Sequence, residues 1–177
     1  MSTPDLTRHA QRLLAAHALG DADPAPLAAL LARCSERRIA TGHPLFHEGE
    51  DGGDISFLLE GRVAVLKKDP TGNDRQIGSW FAPAVAGGLA AVEGVRRSSS
   101  CLAGAPSLVV TLPAAIAREV LADPGPAGAQ LRFILLAAFT EVLANITQHL
   151  RDLLTGPPDA PTPDIDRLLA LLHGAKR

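Results

Sequence analysis

The chain has no tyrosine among its 177 residues, and aromatic residues together make up only 3%. So thin an aromatic complement excludes an extended base-stacking surface for single-stranded nucleic acid. Cysteine is scarce as well. Cys34 and Cys101 stand far apart without CxxC spacing, so neither a metal ribbon nor a disulfide framework is expected, and the usage suits a reducing cytoplasm. Neither sign of charge prevails: the formal net charge of -2 excludes an overall basic footprint for nucleic acid. The longest unbroken apolar run, Phe133–Phe139, has seven residues, against roughly 20 for a membrane helix, so no membrane insertion is expected. The opening Met1-Ser2-Thr3-Pro4-Asp5 lacks the basic start and apolar block of a signal peptide. What is present, 46% hydrophobic and 20% charged residues, is the balance of a folded domain with one core.

Residues 6–38 read as helix. Leu6, Leu13, Leu14 and Ala18 fall at helical spacing, and Gly20 closes the segment. Asp21-Ala22-Asp23-Pro24 then offers acidic caps for a second helix carrying Leu27, Leu30 and Leu31, which ends near Ser35 with Arg37 and Arg38 suited to a helix C-terminus. Residues 39–112 differ. Glycines recur, and between them lie Pro44-Leu45-Phe46, Ile55-Ser56-Phe57-Leu58-Leu59, Val63-Ala64-Val65-Leu66 and Leu108-Val109-Val110. Short apolar runs bounded by Gly, Pro and Asp predict several brief strands in a small barrel or sandwich. Asp69-Pro70-Thr71-Gly72-Asn73-Asp74 is a hairpin turn between Val63–Leu66 and Gln76–Ile77.

Residues 113–155 return to helix. Pro113 suits a first helical position and Asp123-Pro124-Gly125-Pro126 breaks the segment before a long helix, about 127–154. In that helix Leu136, Phe139, Leu143, Ile146, Leu150 and Leu153 form one apolar stripe, and Leu131, Leu135, Ala138 and Val142 a neighbouring one. Two stripes imply two buried contacts, the second most simply with another copy of the same helix. Residues 156–163 are a stiff proline-rich linker, followed by a short amphipathic helix, 164–173, with Ile165, Leu168, Leu169 and Leu172 on one face.

Four pieces of the middle segment together resemble the cyclic nucleotide-binding domain family, which includes bacterial catabolite-activator-like regulators and the regulatory subunits of kinases. Gly42-His43-Pro44-Leu45-Phe46-His47-Glu48-Gly49-Glu50 looks like its opening strand and glycine turn. Ile55–Val65 is similar to its next strand, turn and strand. The Gly72 hairpin follows, and Gly87–Ser100 resembles its phosphate-binding cassette, a short helix and loop ending in Arg and Ser. The resemblance spans roughly 27–153. It implies a mainly β, α+β domain over 1–155: an antiparallel β-roll, or jelly roll, at 39–112 with helices before it and a long helix after it. It implies a regulatory module that senses cyclic AMP, cyclic GMP or a related ligand and signals to a protein partner. With the departures and missing catalytic motifs noted below, a stand-alone, non-enzymatic module is expected, and the two apolar stripes add a homodimer through the 127–154 helix.

The resemblance also assigns the ligand contacts: Gly87, Gly88, Leu89, Ala90, Arg97, Ser98 and Ser99. The chemistry suits a cyclic phosphate, because backbone N–H groups at a helix start lack partners and face negative charge. Gly87-Gly88 lets the backbone come close. Arg97 offers two parallel hydrogen bonds to phosphate oxygens, and Ser98 a hydroxyl. Two departures stand out. The cassette usually begins Gly-Glu, with the glutamate on the ribose hydroxyl. Here Gly88 occupies that position and the next carboxylate is Glu93, so a ligand-free scaffold of the same fold is the alternative reading. Catabolite-activator-like proteins also continue into a helix-turn-helix, for which the residues after the linker are too few, so direct DNA binding is not expected.

Other constellations carry less. His43 and His47 with Glu48 or Glu50 invite a metal-bound cupin-like barrel, but the close H-x-H pair is missing and Pro44 disturbs the strand. Two surface histidines and no metal are expected. Ser98-Ser99-Ser100 has no Gly-x-Ser-x-Gly elbow and no base nearby in sequence, so no catalysis is expected. Cys34 and Cys101 read as small buried apolar residues, and Lys67-Lys68 as solvated charges.

Overall fold

The computed structural model describes residues 1–155; the linker and the helix expected at 164–173 lie outside the described residues. Helix α1, Thr3–Ala16, starts earlier than the apolar spacing indicates. Ser2 and Asp5 form a capping box that satisfies the first N–H groups, and Pro4 sits in the first turn. The helix also stops short of Gly20, with His17 at its end and Ala18 in the left-handed region at φ 59. α2 is short, Ala25–Leu31, and buries Leu27, Ala28, Leu30 and Leu31.

The helical reading through 38 is corrected here. Ser35–Ile39 is strand β1, and each of its residues pairs with β8, Ser107–Leu112. Ser-Glu-Arg-Arg has no apolar spacing of its own to hold a helix, so pairing with a distant strand decides its conformation. The remaining strands are β2 Pro44–Phe46, β3 Ile55–Glu60, β4 Arg62–Lys68, β5 Asp74–Phe81, β6 Ala84–Ala86 and β7 Ser100–Ala103. They form two antiparallel four-stranded sheets, ordered β1-β8-β3-β6 and β2-β7-β4-β5. The eight strands are the jelly roll anticipated from the glycine-bounded runs.

Leu58, Val63, Ala103, Val109 and Ile39 make one buried cluster, and Phe46, Val65, Ala86 and Cys101 another, with Leu45 and Trp80 packed on both. These clusters draw residues from both sheets. β3 is buried on both faces, from Ile55 through Leu59. Residues alternate sides along a strand, so one face serves the core and the other is covered. Near this strand Arg12 of α1 donates to the Leu59 carbonyl at 3.4 Å, and His9 lies 3.9 Å from Glu60. The β4–β5 hairpin follows its turn chemistry. Asp69 Oδ1 accepts from the Thr71 hydroxyl and from the Thr71 and Asn73 N–H groups, and Asp69 Oδ2 accepts from Arg75. The Thr71 hydroxyl, then Arg75, hold the Asp69 carboxyl well below the usual carboxylate range.

After β7 and β8 come α3's neighbour α4, Ala114–Ala122, and the long α5, Pro126–Thr155; α3, Gly88–Glu93, precedes β7. Pro113 is the residue capping α4, one place before the first helical position expected for it. The described residues divide into two units inside α5, the first Met1–Ala138 and the second beginning at Phe139. In the first unit, α5 buries Leu131, Ile134 and Leu135. Arg132 donates to the Leu121 and Asp123 carbonyls, and Gln130 to the Asp23 carbonyl at 2.7 Å. Gly128 allows the approach, since a Cβ there would come within 2.5 Å of the Val120 carbonyl oxygen. In the second unit Val142, Leu143 and Ile146 are exposed. By length and composition α5 from Pro126 to Asp152 is long and apolar enough to cross a membrane, a property the seven-residue apolar run does not reveal.

Candidate ligand site

The segment between β6 and β7 begins with a backbone reversal. Gly87 has φ +78 and Gly94 φ +68, and the six residues of α3 run between them. Left-handed backbone at both ends favours glycine. The chain then returns as Val95-Arg96-Arg97-Ser98 and is fastened to the loop after β2. Gly49 N–H donates to the Arg97 carbonyl and Arg97 N–H to the Glu50 carbonyl, both at 2.9 Å. Asp51 and Arg96 add an isolated bridge. Gly52 packs so closely that a Cβ would stand 2.5 Å from the Ala90 Cβ and 2.7 Å from the Val95 oxygen.

Arg97 lies at the centre of this arrangement. It is only 4% exposed, which excludes a solvated loop arginine. Its guanidinium stacks on Phe46, 4.3 Å from the ring centre, a favourable face for a cation. Nη1 donates to the Gly87 carbonyl at 2.9 Å and Nη2 to the Asp54 carbonyl at 2.8 Å. Nη2 also lies 3.3 Å from Asp54 Oδ1. Nε is buried without a hydrogen-bond partner. Gly87 must be glycine for this contact, since a Cβ would fall on the Arg97 guanidinium.

The residues assigned by resemblance therefore divide. Gly87 and Arg97 are in direct contact, and Gly88 is buried at the start of α3. Ala90 is buried against Gly52, whereas Leu89 is exposed. Ser98 is exposed and Ser99 half-buried. The Ser98 carbonyl accepts a hydrogen bond from Lys67 Nζ at 2.7 Å. Lys67 corrects the expectation of a solvated pair. It is half-buried and also meets Glu48 Oε1 at 2.6 Å, so it ties β4 to the end of the cassette. Lys68 is exposed beside Asp74. Sequence reasoning missed Asp54, Phe46 and the Lys67–Glu48 pair as parts of the site. A lone aspartate after two glycines carries no local signal, and the pairings join different elements.

His43 and His47 are exposed. Among the described residues no group of three or more His, Cys, Asp or Glu is placed to hold a metal ion. Burial pushes both thiols up to about 12, so Cys34 and Cys101 stay protonated at neutral pH. Cavities of about 260 Å³ beside Leu30 and Val120 and about 370 Å³ beside Ile39 and Leu108 have no cassette residue in their lining.

Two antiparallel sheets with a glycine-bounded short helix and an Arg-Ser turn between β6 and β7 define a cyclic-nucleotide-binding-like jelly roll. Residues 36–123 match the family model described as the cyclic nucleotide-binding domain, and this segment is a domain of that family. No curated protein sequence matches it. Solved structures are similar in fold. A cyclic nucleotide-binding domain from Methylobacillus flagellatus KT is 21% identical, with TM-score 0.71 over 88% of each chain. The c-di-GMP-responsive global regulator CLP of Xanthomonas campestris is 15% identical, with TM-score 0.68 over 85% of this chain and 71% of that one. The catabolite activator protein of Thermus thermophilus is 19% identical, with TM-score 0.59 over 75% of this chain and 60% of its own.

Proposed function

We propose that the chain is a non-enzymatic regulatory module of the cytoplasm that senses a cyclic mononucleotide or related anionic ligand at Gly87–Ser99 and signals to a protein partner. The observation that carries this reading is Arg97. A guanidinium is kept almost wholly out of water at the end of the cassette, against the left-handed Gly87 backbone. Desolvated, it holds an anion more strongly than a surface arginine does. Gly88, Leu89 and Ala90 follow Gly87 at the start of α3, where backbone N–H groups suit an anion, and Ser98 and Ser99, next after Arg97 in the chain, would add hydroxyls. We further propose that the module is a homodimer through the 127–154 helix.

A second reading has its own observation. Arg97 already meets the Gly87 carbonyl and both the carbonyl and the carboxylate of Asp54, and Gly88 supplies no carboxylate for a ribose. On that reading the domain is a ligand-free dimerisation or scaffold protein. Titration calorimetry with cyclic AMP, cyclic GMP and c-di-GMP separates the two. The last is included because one structural neighbour responds to it. We expect binding of at least one, and a loss of about tenfold or more in Arg97→Ala, since charge-assisted hydrogen bonds are removed. Absence of heat with all three favours the scaffold.

A further inference from the structure

Arg97 is charge-satisfied from within the fold, and the carboxylate that satisfies it is itself partly in water. Its side chain is 2% exposed, whereas that of Asp54 is 41% exposed. Asp54 reaches Arg97 twice, through its backbone carbonyl at 2.8 Å and through Oδ1 at 3.3 Å. The carbonyl is fixed. Gly52 is wedged against Ala90 and Val95, and a Cβ on Gly53 would come within 2.7 Å of the Ala114 Cβ, so the loop has little room to shift. The carboxylate alone can rotate into solvent. Its departure leaves the guanidinium held by the Gly87 and Asp54 carbonyls and by the Phe46 ring. The buried Nε has no partner to lose.

We propose that Asp54 sets the affinity of this site: its carboxylate competes with an anionic ligand for Arg97, and an anion is taken as that carboxylate swings out. The proposal rests on the reading of the cassette as an anion site. A carboxylate beside a buried guanidinium neutralises its attraction for a second anion and repels that anion directly. Removing the charge while keeping the backbone leaves a buried, oriented and unpaired cation. Such a cation destabilises the free protein and makes it responsive to any anion that fits.

The test compares wild type with Asp54→Asn and Asp54→Glu, the latter keeping the competing charge. Thermal melting is followed in inorganic phosphate and in chloride of equal ionic strength, and cyclic AMP is titrated by calorimetry. Asp54→Asn is expected to melt below wild type in chloride, to gain more from phosphate than wild type does, and to bind cyclic AMP about tenfold more tightly. Asp54→Glu is expected to gain less from phosphate than Asp54→Asn does. If Asp54→Asn is unfolded in chloride, refolding on addition of phosphate supports the proposal and failure to refold overturns it. A phosphate response no larger than that of wild type also overturns it. If Asp54→Asn gains the phosphate response while no cyclic nucleotide binds either protein, the assignment of Asp54 stands and the cyclic-nucleotide reading falls.

Discussion

His9 is a buried titratable group outside the ligand site. It is 2% exposed on α1, its Nδ1 has no hydrogen-bond partner, and its Nε2 is 3.9 Å from Glu60. Burial chiefly, and then the neighbouring Arg8, hold its pKa below the ordinary 6.5; Arg12 acts in the same direction, while Glu60 and Asp5 oppose. The unfolded chain thus takes up the proton first. Stability is full above about pH 6.5 and falls as pH drops through the lower folded value. The melting temperature is expected to decline as pH falls below about 6.5, and His9→Phe to flatten that part of the profile. An unchanged slope in the variant assigns the decline to other groups.

The elements that position the site depend on glycine at particular places. Gly87 ends β6 in the left-handed region, φ +78, and leaves room for Arg97. Gly87→Ala adds a left-handed penalty of about 1–2 kcal/mol and pushes the guanidinium out of place. A melting temperature lower by several degrees is expected, together with weakened ligand binding. Gly88 differs: it is a helical residue at the start of α3, not among the positive-φ glycines. Gly88→Glu therefore meets no left-handed strain and restores the acceptor that the family places on the ribose hydroxyl. Affinity for cyclic AMP is expected to rise about tenfold, the worth of one charged hydrogen bond. A flat affinity in a normally melting variant counts against a cyclic mononucleotide.

At the scale of the molecule, the second unit presents Leu143 at 64% exposure, with Val142 and Ile146 also in contact with water. Contiguous exposed apolar surface marks an interaction site. With the homodimer proposed, Leu143→Asp and Ile146→Asp bury an unpaired charge at the seam. Sedimentation equilibrium at tens of micromolar is expected to give a dimer for wild type and monomers for both variants, with unchanged far-ultraviolet circular dichroism. A monomeric wild type removes the basis for this assembly.

What the sequence determined by itself is largely local. Asp69 to Asp74 builds its turn from its own hydroxyl and N–H groups, so the β4–β5 hairpin is legible from six residues. The glycine-bounded apolar runs mark β2, β3, β4 and β8, because alternation and punctuation are properties of short segments. The cassette's glycines and Arg97 are likewise visible as a pattern. The tertiary structure decided what depends on partners far along the chain. Ser35–Ile39 became a strand because β8 offers its edge, about 70 residues later in the Glu36–Val110 pairing. Arg97 is neutralised by Asp54, 43 residues away, and Lys67 meets the Ser98 carbonyl 31 residues away. Such contacts are set by register and packing between elements, which no local spacing encodes. For that reason the arginine of the site was legible and the carboxylate that occupies it was not.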